Sequence, residues 1–184
     1  LDLYVNRVLI QKGNTDILPE YLGFVRGVVD SEDLPLNISR ETFQENNNLS
    51  RISRNLVKQV LSELEKTAQN DPEKYGKFWQ EHGKTLKLGY NYYQNTEKYG
   101  KLLRFNSSRF EDAAGHASFD EYIEGAKEGQ KEIYFIYGHN REAIALNPHL
   151  EIFKAKGLEV LYLFDPLDEF AMETVREYKE FTLK

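Results

Sequence analysis

With 184 residues, the chain has room for one generous domain or two small ones, and at that length roughly 70% of the unfolded surface is buried on folding, enough for a core without staples. The absence of cysteine excludes disulfides and thiolate metal sites. A formal net charge of −6 weighs against a nucleic-acid partner, and apolar runs only a few residues long exclude a membrane-spanning helix.

The chain opens at Leu1, inside what reads as a strand, and is expected to be a piece excised from something longer. Residues 3–10, L-Y-V-N-R-V-L-I, alternate well enough for one half-buried strand. A short helix is expected from Ile17 to Leu22, with Pro19 in its first turn and Gly23 ending it, and F-V-R-G-V-V then reads as a second strand. These elements look like one edge of an α/β layer whose other strands lie upstream of Leu1. From Leu49, the apolar residues Ile52, Leu56, Val57, Val60, Leu61 and Leu64 predict an amphipathic helix. Asn70-Asp71-Pro72-Glu73 supplies an N-cap and an N1 proline for the next helix, which carries Tyr75, Phe78 and Trp79. Asn95-Thr96-Glu97 caps a short helix through Leu103, and the acid-rich, glycine-interrupted stretch 107–118 is the best linker candidate.

The last region is the most regular. Ser118 and Glu121 make a capping box for a helix to about Ala126. K-E-I-Y-F-I-Y, residues 131–137, predicts a strand; residues 141–156 are helical but broken at Pro148, and Gly157 is a stop. L-E-V-L-Y-L-F, residues 158–164, predicts a second strand. Strand, crossover helices and strand make a βαβ unit, so the pair is expected to be parallel with a right-handed connection. D-P-L-D-E-F opens a further helix and E-F-T-L a short final strand. The fold class is α/β.

Among residues that could carry chemistry, Asp30, Glu32 and Asp33 are the densest acids. Two carboxylates on a loop can bind a divalent ion or do acid–base work, but calcium loops need a longer ligand ladder, and strand exit with local capping is the favoured account of such acids. The histidines at 82, 116, 139 and 149 lack H-E-x-x-H spacing, so no metal is expected and surface or packing roles are. Y-G-H-N-R-E, residues 137–142, sits in a βα turn where nucleotides dock, yet it has neither glycine-rich phosphate signature and reads as a helix cap. Arg51, Arg54 and Lys58 form a helical stripe that reads as a solvated face. Arg40 stands apart. Pro35 stiffens its loop, Leu34 and Leu36 anchor it, and Asn37 and Ser39 cap the helix that follows. A guanidinium held there offers a planar fork suited to phosphate oxygens, and Gln44 shares its face if the helix begins at Ser39. Taken by itself, the chain could still be a self-contained α/β enzyme using Asp30, Glu32 and Asp33 with Arg40.

G-V-V-D-S-E-D-L-P-L-N-I-S-R-E, residues 27–41, closely resembles the middle-domain signature of the heat shock protein 90 chaperone family, of the bacterial high-temperature protein G type. The likeness extends through L-Y-V-N-R-V-L-I, D-I-L-P-E-Y-L and K-L-L-R-F-N-S-S to F-K-A-K-G-L-E-V-L-Y-L-F-D-P-L-D-E-F, nearly the whole chain. E-N-N-N at 45–48 and the segment from Phe110 to Ala117 are less typical of the family. The resemblance implies two αβα-type layers, the first only partly present, joined by a helical coil. Residues 1–48 would close the larger αβα subdomain with its catalytic loop, 49–106 would form the coil, and 107–184 the smaller αβα subdomain. It further implies that Arg40, supported by Gln44, reaches the γ-phosphate of ATP, held with Mg2+ mainly outside this segment. The fragment alone would then be no enzyme, whereas the full-length protein would be an ATPase. The implied partners are unfolded or partly folded client proteins, the protein's own N-terminal ATPase domain, and the C-terminal dimerisation domain of a full-length homodimer; the implied location is cytoplasmic. Glu169, Phe170 and Met172 fall where the family carries a client-binding aromatic after an acidic pair, with helix packing as the alternative. Tyr90, Tyr92 and Tyr93 could serve similarly, or pack.

Overall fold

A computed structural model describes residues 1–34, 47–92 and 96–184. The chain forms two compact units, Leu1–Thr67 and Ala68–Lys184. Among the described residues, α-helices of 5 to 24 residues accompany three three-stranded sheets that include parallel pairs, an α/β fold as expected.

In the first unit, residues 3–10 are a hairpin and not the single strand that the alternation suggested. β1 (Asp2–Val5) pairs antiparallel with β2 (Val8–Gln11) across Asn6 and Arg7, whose φ values of 49° and 66° give the two left-handed residues of a tight turn matched to strand twist. β1 also pairs parallel with β3 (Val28–Ser31), Leu3 opposite Val29. The connection between them is shaped by Asn14, whose buried carboxamide oxygen accepts the backbone N–H groups of Asp16 and Ile17 at 2.9 and 2.8 Å. The expected helix at 17–22 shrinks to a 3-10 turn, Glu20–Leu22, with Pro19 at its N-cap. Proline forces the residue before it out of the helical region, so Leu18 cannot be helical. Gly23 closes the turn as expected, its N–H donating to the Glu20 carbonyl. Phe24 and Val25, read as part of a second strand, lie outside β3. α1 (Asn47–Asn70) is the long amphipathic helix; Leu49, Ile52 and Leu56 join Leu3, Val5, Ile17 and Leu34 in this unit's core.

The second unit opens with α2 (Pro72–Lys87), capped by Asp71, whose side chain accepts the Lys74 N–H at 3.0 Å, with Pro72 at N1. α3 (Thr96–Leu102) is tied to α2 by two tyrosines: Tyr75 donates its hydroxyl to the Leu102 carbonyl, and Tyr99 to that of Lys87, each at 2.6 Å. The stretch 107–118 is no exposed tether. Ser107, in β4 (Asn106–Ser107), is fully buried, Phe105 bridges to Ala117, and Asn106 Nδ2 donates to the carbonyls of Asp112 and Gly115. The capping box then starts α4 (Phe119–Glu124), with Ser118 Oγ accepting the Glu121 N–H at 3.1 Å and the Glu121 carboxylate accepting the Ser118 N–H at 2.7 Å.

The expected strand 131–137 splits between two sheets. β5 (Glu132–Ile133) pairs parallel with β9 (Phe181–Leu183), which pairs antiparallel with β8 (Glu177–Tyr178). β6 (Phe135–Tyr137) pairs parallel with β7 (Leu161–Leu163), which pairs antiparallel with β4. The changeover is at Tyr134, whose N–H is taken by the Tyr122 hydroxyl at 3.0 Å while its carbonyl accepts from Leu161. Between β6 and β7 run α5 (Arg141–Ala145), a 3-10 turn at Pro148–Leu150, and α6 (Glu151–Lys156), stopped by Gly157 at φ 62°. The expected βαβ unit is therefore present, with its helical break at Pro148. α7 (Asp168–Val175) completes the chain's helices among the described residues. Phe119, Tyr122, Leu161, Leu163, Ala171, Met172 and Tyr178 form the main core.

Candidate functional site

Of the three acids before the loop that bears Arg40, Asp30 does local structural work through its carboxylate, and Asp33 through its backbone. Asp30 Oδ1 accepts the N–H of Arg7 at 3.2 Å, steadying the second left-handed residue of the β1–β2 turn. The Asp33 N–H donates to Ser31 Oγ at 3.3 Å, and its carbonyl accepts from Asn48 Nδ2 at 3.4 Å. Glu32 and Asp33 face solvent, whereas Leu34 is buried in the first core and pins the loop where it leaves β3. Pro35, Leu36, Asn37, Ser39, Arg40 and Gln44 lie outside the described residues. Among the described residues, no three His, Asp or Glu side chains are grouped to hold a metal ion. Asn140 caps α5 through the Ala143 N–H at 2.8 Å, the plain cap expected of Y-G-H-N-R-E, and Arg51, Arg54 and Lys58 are exposed.

The second candidate surface lies on α7, and its three expected members part company. Glu169 and Phe170 face solvent, but Met172 is 3% exposed and packs in the main core. Met172 is thus a packing residue, because two positions along a helix rotate a side chain about 200°, from the outer face to the inner one. Phe170 is 44% exposed and stacks on Tyr90, ring centroids 5.1 Å apart and planes 18° from parallel. Tyr137, on β6, belongs to the same surface. Burial pushes its hydroxyl up to about 12, with Glu169, Asp168 and Glu173 adding to the rise. Tyr92 is also exposed, and Tyr93 lies outside the described residues.

Beneath this surface is an ion pair that spacing could not reveal. The Lys87 ammonium contacts Asp168 Oδ1, lies 3.9 Å from Asp165 Oδ2, and sits 5.6 Å from the ring centres of both Trp79 and Phe105. Both partners are buried. Burial pushes the Asp168 carboxyl up from the usual range, opposed by Lys87 and by the Asp165 N–H that donates to it at 3.0 Å. The bond joins the end of α2 to the start of α7 and so fixes the base of the Phe170 surface. Nothing in the sequence links the two residues: Lys87 is one of two lysines in the last turn of α2, and Asp168 one of three acids in D-P-L-D-E-F.

The family model for Hsp90 protein matches residues 1–184. The chain is 58% identical over 184 residues to "Chaperone protein HtpG" of Nitratidesulfovibrio vulgaris, covering all of this chain and 29% of that protein. It is 54% identical over 184 residues to the protein of that name from Oleidesulfovibrio alaskensis, with the same coverage. To that of Ehrlichia canis it is 45% identical over 185 residues, 99% of this chain and 29% of the relative. The chain therefore belongs to the Hsp90 family. It spans less than a third of the length of the curated relatives it matches.

Proposed function

We propose that this chain is the middle module of an ATP-dependent chaperone, supplying Arg40 to a nucleotide held elsewhere in the full-length protein. Family membership along the entire chain carries the reading. Leu34 supports it by anchoring the start of the loop. In this reading Arg40 contacts the γ-phosphate of ATP and stabilises the charge that develops there, while Gln44 holds the loop in place. ATP and Mg2+ sit mainly in the N-terminal domain, so the fragment alone turns over no ATP. Residues 1–48 close the larger αβα subdomain, 49–106 form the helical connector, and 107–184 the smaller αβα subdomain. The full-length protein is a cytoplasmic homodimer joined through its C-terminal domain. Glu169 and Phe170 contribute to client binding, with Tyr90 behind Phe170 and Met172 supporting the helix from inside.

The test is ATP turnover by the full-length protein with Arg40→Ala, beside wild type and Gln44→Ala, with nucleotide affinity measured in parallel. Arg40→Ala is expected to slow turnover by about a hundredfold, the usual cost of one charge-stabilising donor, while nucleotide still binds. Unchanged turnover would remove Arg40 from the chemistry.

A further inference from the structure

A cavity of about 460 Å3 opens in the second unit, between the C-terminal half of α2, the loop after β4 and the start of α7. It has two kinds of wall. Trp79, Phe105 and Phe164 give an apolar side, and Lys84 and Arg104 a cationic one, with the His116 ring also in the wall. Two carboxylates also line it, but the protein itself uses both. Asp168 holds Lys87 and accepts the Asp165 N–H. Asp165 accepts the Leu167 N–H at 2.9 Å, and its Oδ2 stands 3.9 Å from Lys87 Nζ and 4.0 Å from Lys84 Nζ. Three cations (Lys84, Lys87 and Arg104) against two carboxylates leave one positive charge uncompensated.

That charge is best assigned to Arg104. Its guanidinium stands 4.5 Å from the centre of the Tyr75 ring and uses one nitrogen, donating to the carbonyls of Lys101 and Leu103 at 2.9 and 2.8 Å. Among the described residues it makes no ion pair; burial works against its charge, opposed by Tyr75 and, from farther off, by Glu121 and Asp120. A guanidinium carries five donors, and a charge drawn out of water is normally paired. Arg104 therefore keeps unused donors in a site partly removed from water. The opposite wall is preorganised: Asp112 Oδ1 accepts the N–H groups of Ala114 and Gly115 at 2.9 and 3.1 Å, and Asn106 holds the same loop from below. Its alanines, Ala113 and Ala114, present only methyl groups to the cavity wall.

We propose that this cavity binds a small organic anion, a carboxylate or phosphate monoester carried on a planar apolar body. The anion sits on Arg104 with Lys84 at the rim, and the body lies against Trp79 and Phe105. A bare inorganic ion would leave the aromatic wall unused, and a neutral ring would leave the guanidinium unpaired.

Trp79, the chain's one tryptophan, lines the cavity and reports its occupancy. The 184-residue chain is titrated with phenyl phosphate and with benzoate, and the emission of Trp79 is followed. A saturable change is expected with at least one of them, and which one responds identifies the anion. Phenol and inorganic phosphate are expected to bind at least about tenfold more weakly, as is the better anion to Arg104→Gln, for the loss of a charge-assisted hydrogen bond. Lys84→Glu, at an exposed position, and Ala114→Leu, which narrows the cavity without removing a charge, are expected to weaken binding as well, and they serve if Arg104→Gln does not fold. No response to either anion overturns the proposal. So does phenol matching the anions (an apolar crevice only), inorganic phosphate matching them (a surface ion only), or unchanged affinity in both Lys84→Glu and Ala114→Leu.

Discussion

The Lys87 ammonium occupies a place that few lysines tolerate, with a relative exposure of 6% and two aromatic rings beside it. Taking an ammonium and a carboxylate out of water costs several kcal/mol per ion, which their attraction offsets only when both are present. Lys87→Met strands the buried Asp168 carboxylate and is expected to cost about 3–5 kcal/mol. Lys87→Met with Asp168→Asn, which keeps an acceptor for the Asp165 N–H, is expected to recover most of that loss. Urea unfolding followed by Trp79 emission measures both; a double variant as unstable as the single one would show that the pair's net attraction, and not a stranded charge, sets the cost. Arg104, on the same cavity, is the contrasting case: a cation whose compensation is a ring and two carbonyls, and whose unused donors give the cavity its expected preference for anions.

At the scale of elements, α7 shows how one short helix divides labour between its faces. Ala171, Met172 and Val175 point into the main core, while Glu169 and Phe170 meet solvent. Met172→Ala is expected to destabilise the second unit by about 2–5 kcal/mol, as large-to-small changes in a packed core do. Phe170→Ser is expected to leave the urea midpoint nearly unchanged and to reduce capture of an unfolded client by the full-length protein. If Phe170→Ser shifted the midpoint as far as Met172→Ala, the Tyr90 stack would be structural and the client reading of Phe170 would fall. The elements legible in the sequence were those whose cause is local: the Ser118–Glu121 capping box and Gly157 satisfy backbone groups within a few residues, and Pro72 at N1 removes an N–H that would have no partner. The β1–β2 turn was missed because Asn6-Arg7 lacks the usual glycine and the apolar alternation runs straight through it. The split of 131–137 was missed because it depends on β9 and β7, some 25 to 50 residues away in the chain, and on the distant Tyr122 hydroxyl. Of the candidate site, the residues around Arg40 suggested a phosphate-competent arginine, whereas its partner nucleotide, the supporting role given to Gln44 and the client role given to Phe170 came only from the family resemblance. Lys87 with Asp168, 81 residues apart, left no pattern to read.

At the scale of the whole molecule, the two units differ in what holds them. The core of Leu1–Thr67 is aliphatic, built on Leu3, Val5, Ile17, Leu34 and Leu49, whereas that of Ala68–Lys184 is rich in tyrosines whose hydroxyls bond to backbone or acid. Burial raises the hydroxyls of Tyr75, Tyr99, Tyr122 and Tyr178 above the ordinary tyrosine range, Tyr122 to about 12, and all four belong to the second unit. An acid whose folded pKa exceeds its unfolded value favours the fold fully below the unfolded pKa. That advantage is lost as the pH rises towards the folded one. The second unit is therefore expected to keep its stability up to a pH of about 10, where free tyrosine ionises, and to lose it progressively above that. Tyrosinate absorbance and Trp79 emission, followed together through an alkaline titration, should change in one cooperative step for these residues, with exposed tyrosines ionising earlier. Ionisation of all twelve tyrosines near a pH of about 10, with Trp79 emission unchanged, would mean that the buried hydroxyl bonds contribute nothing to holding this unit together.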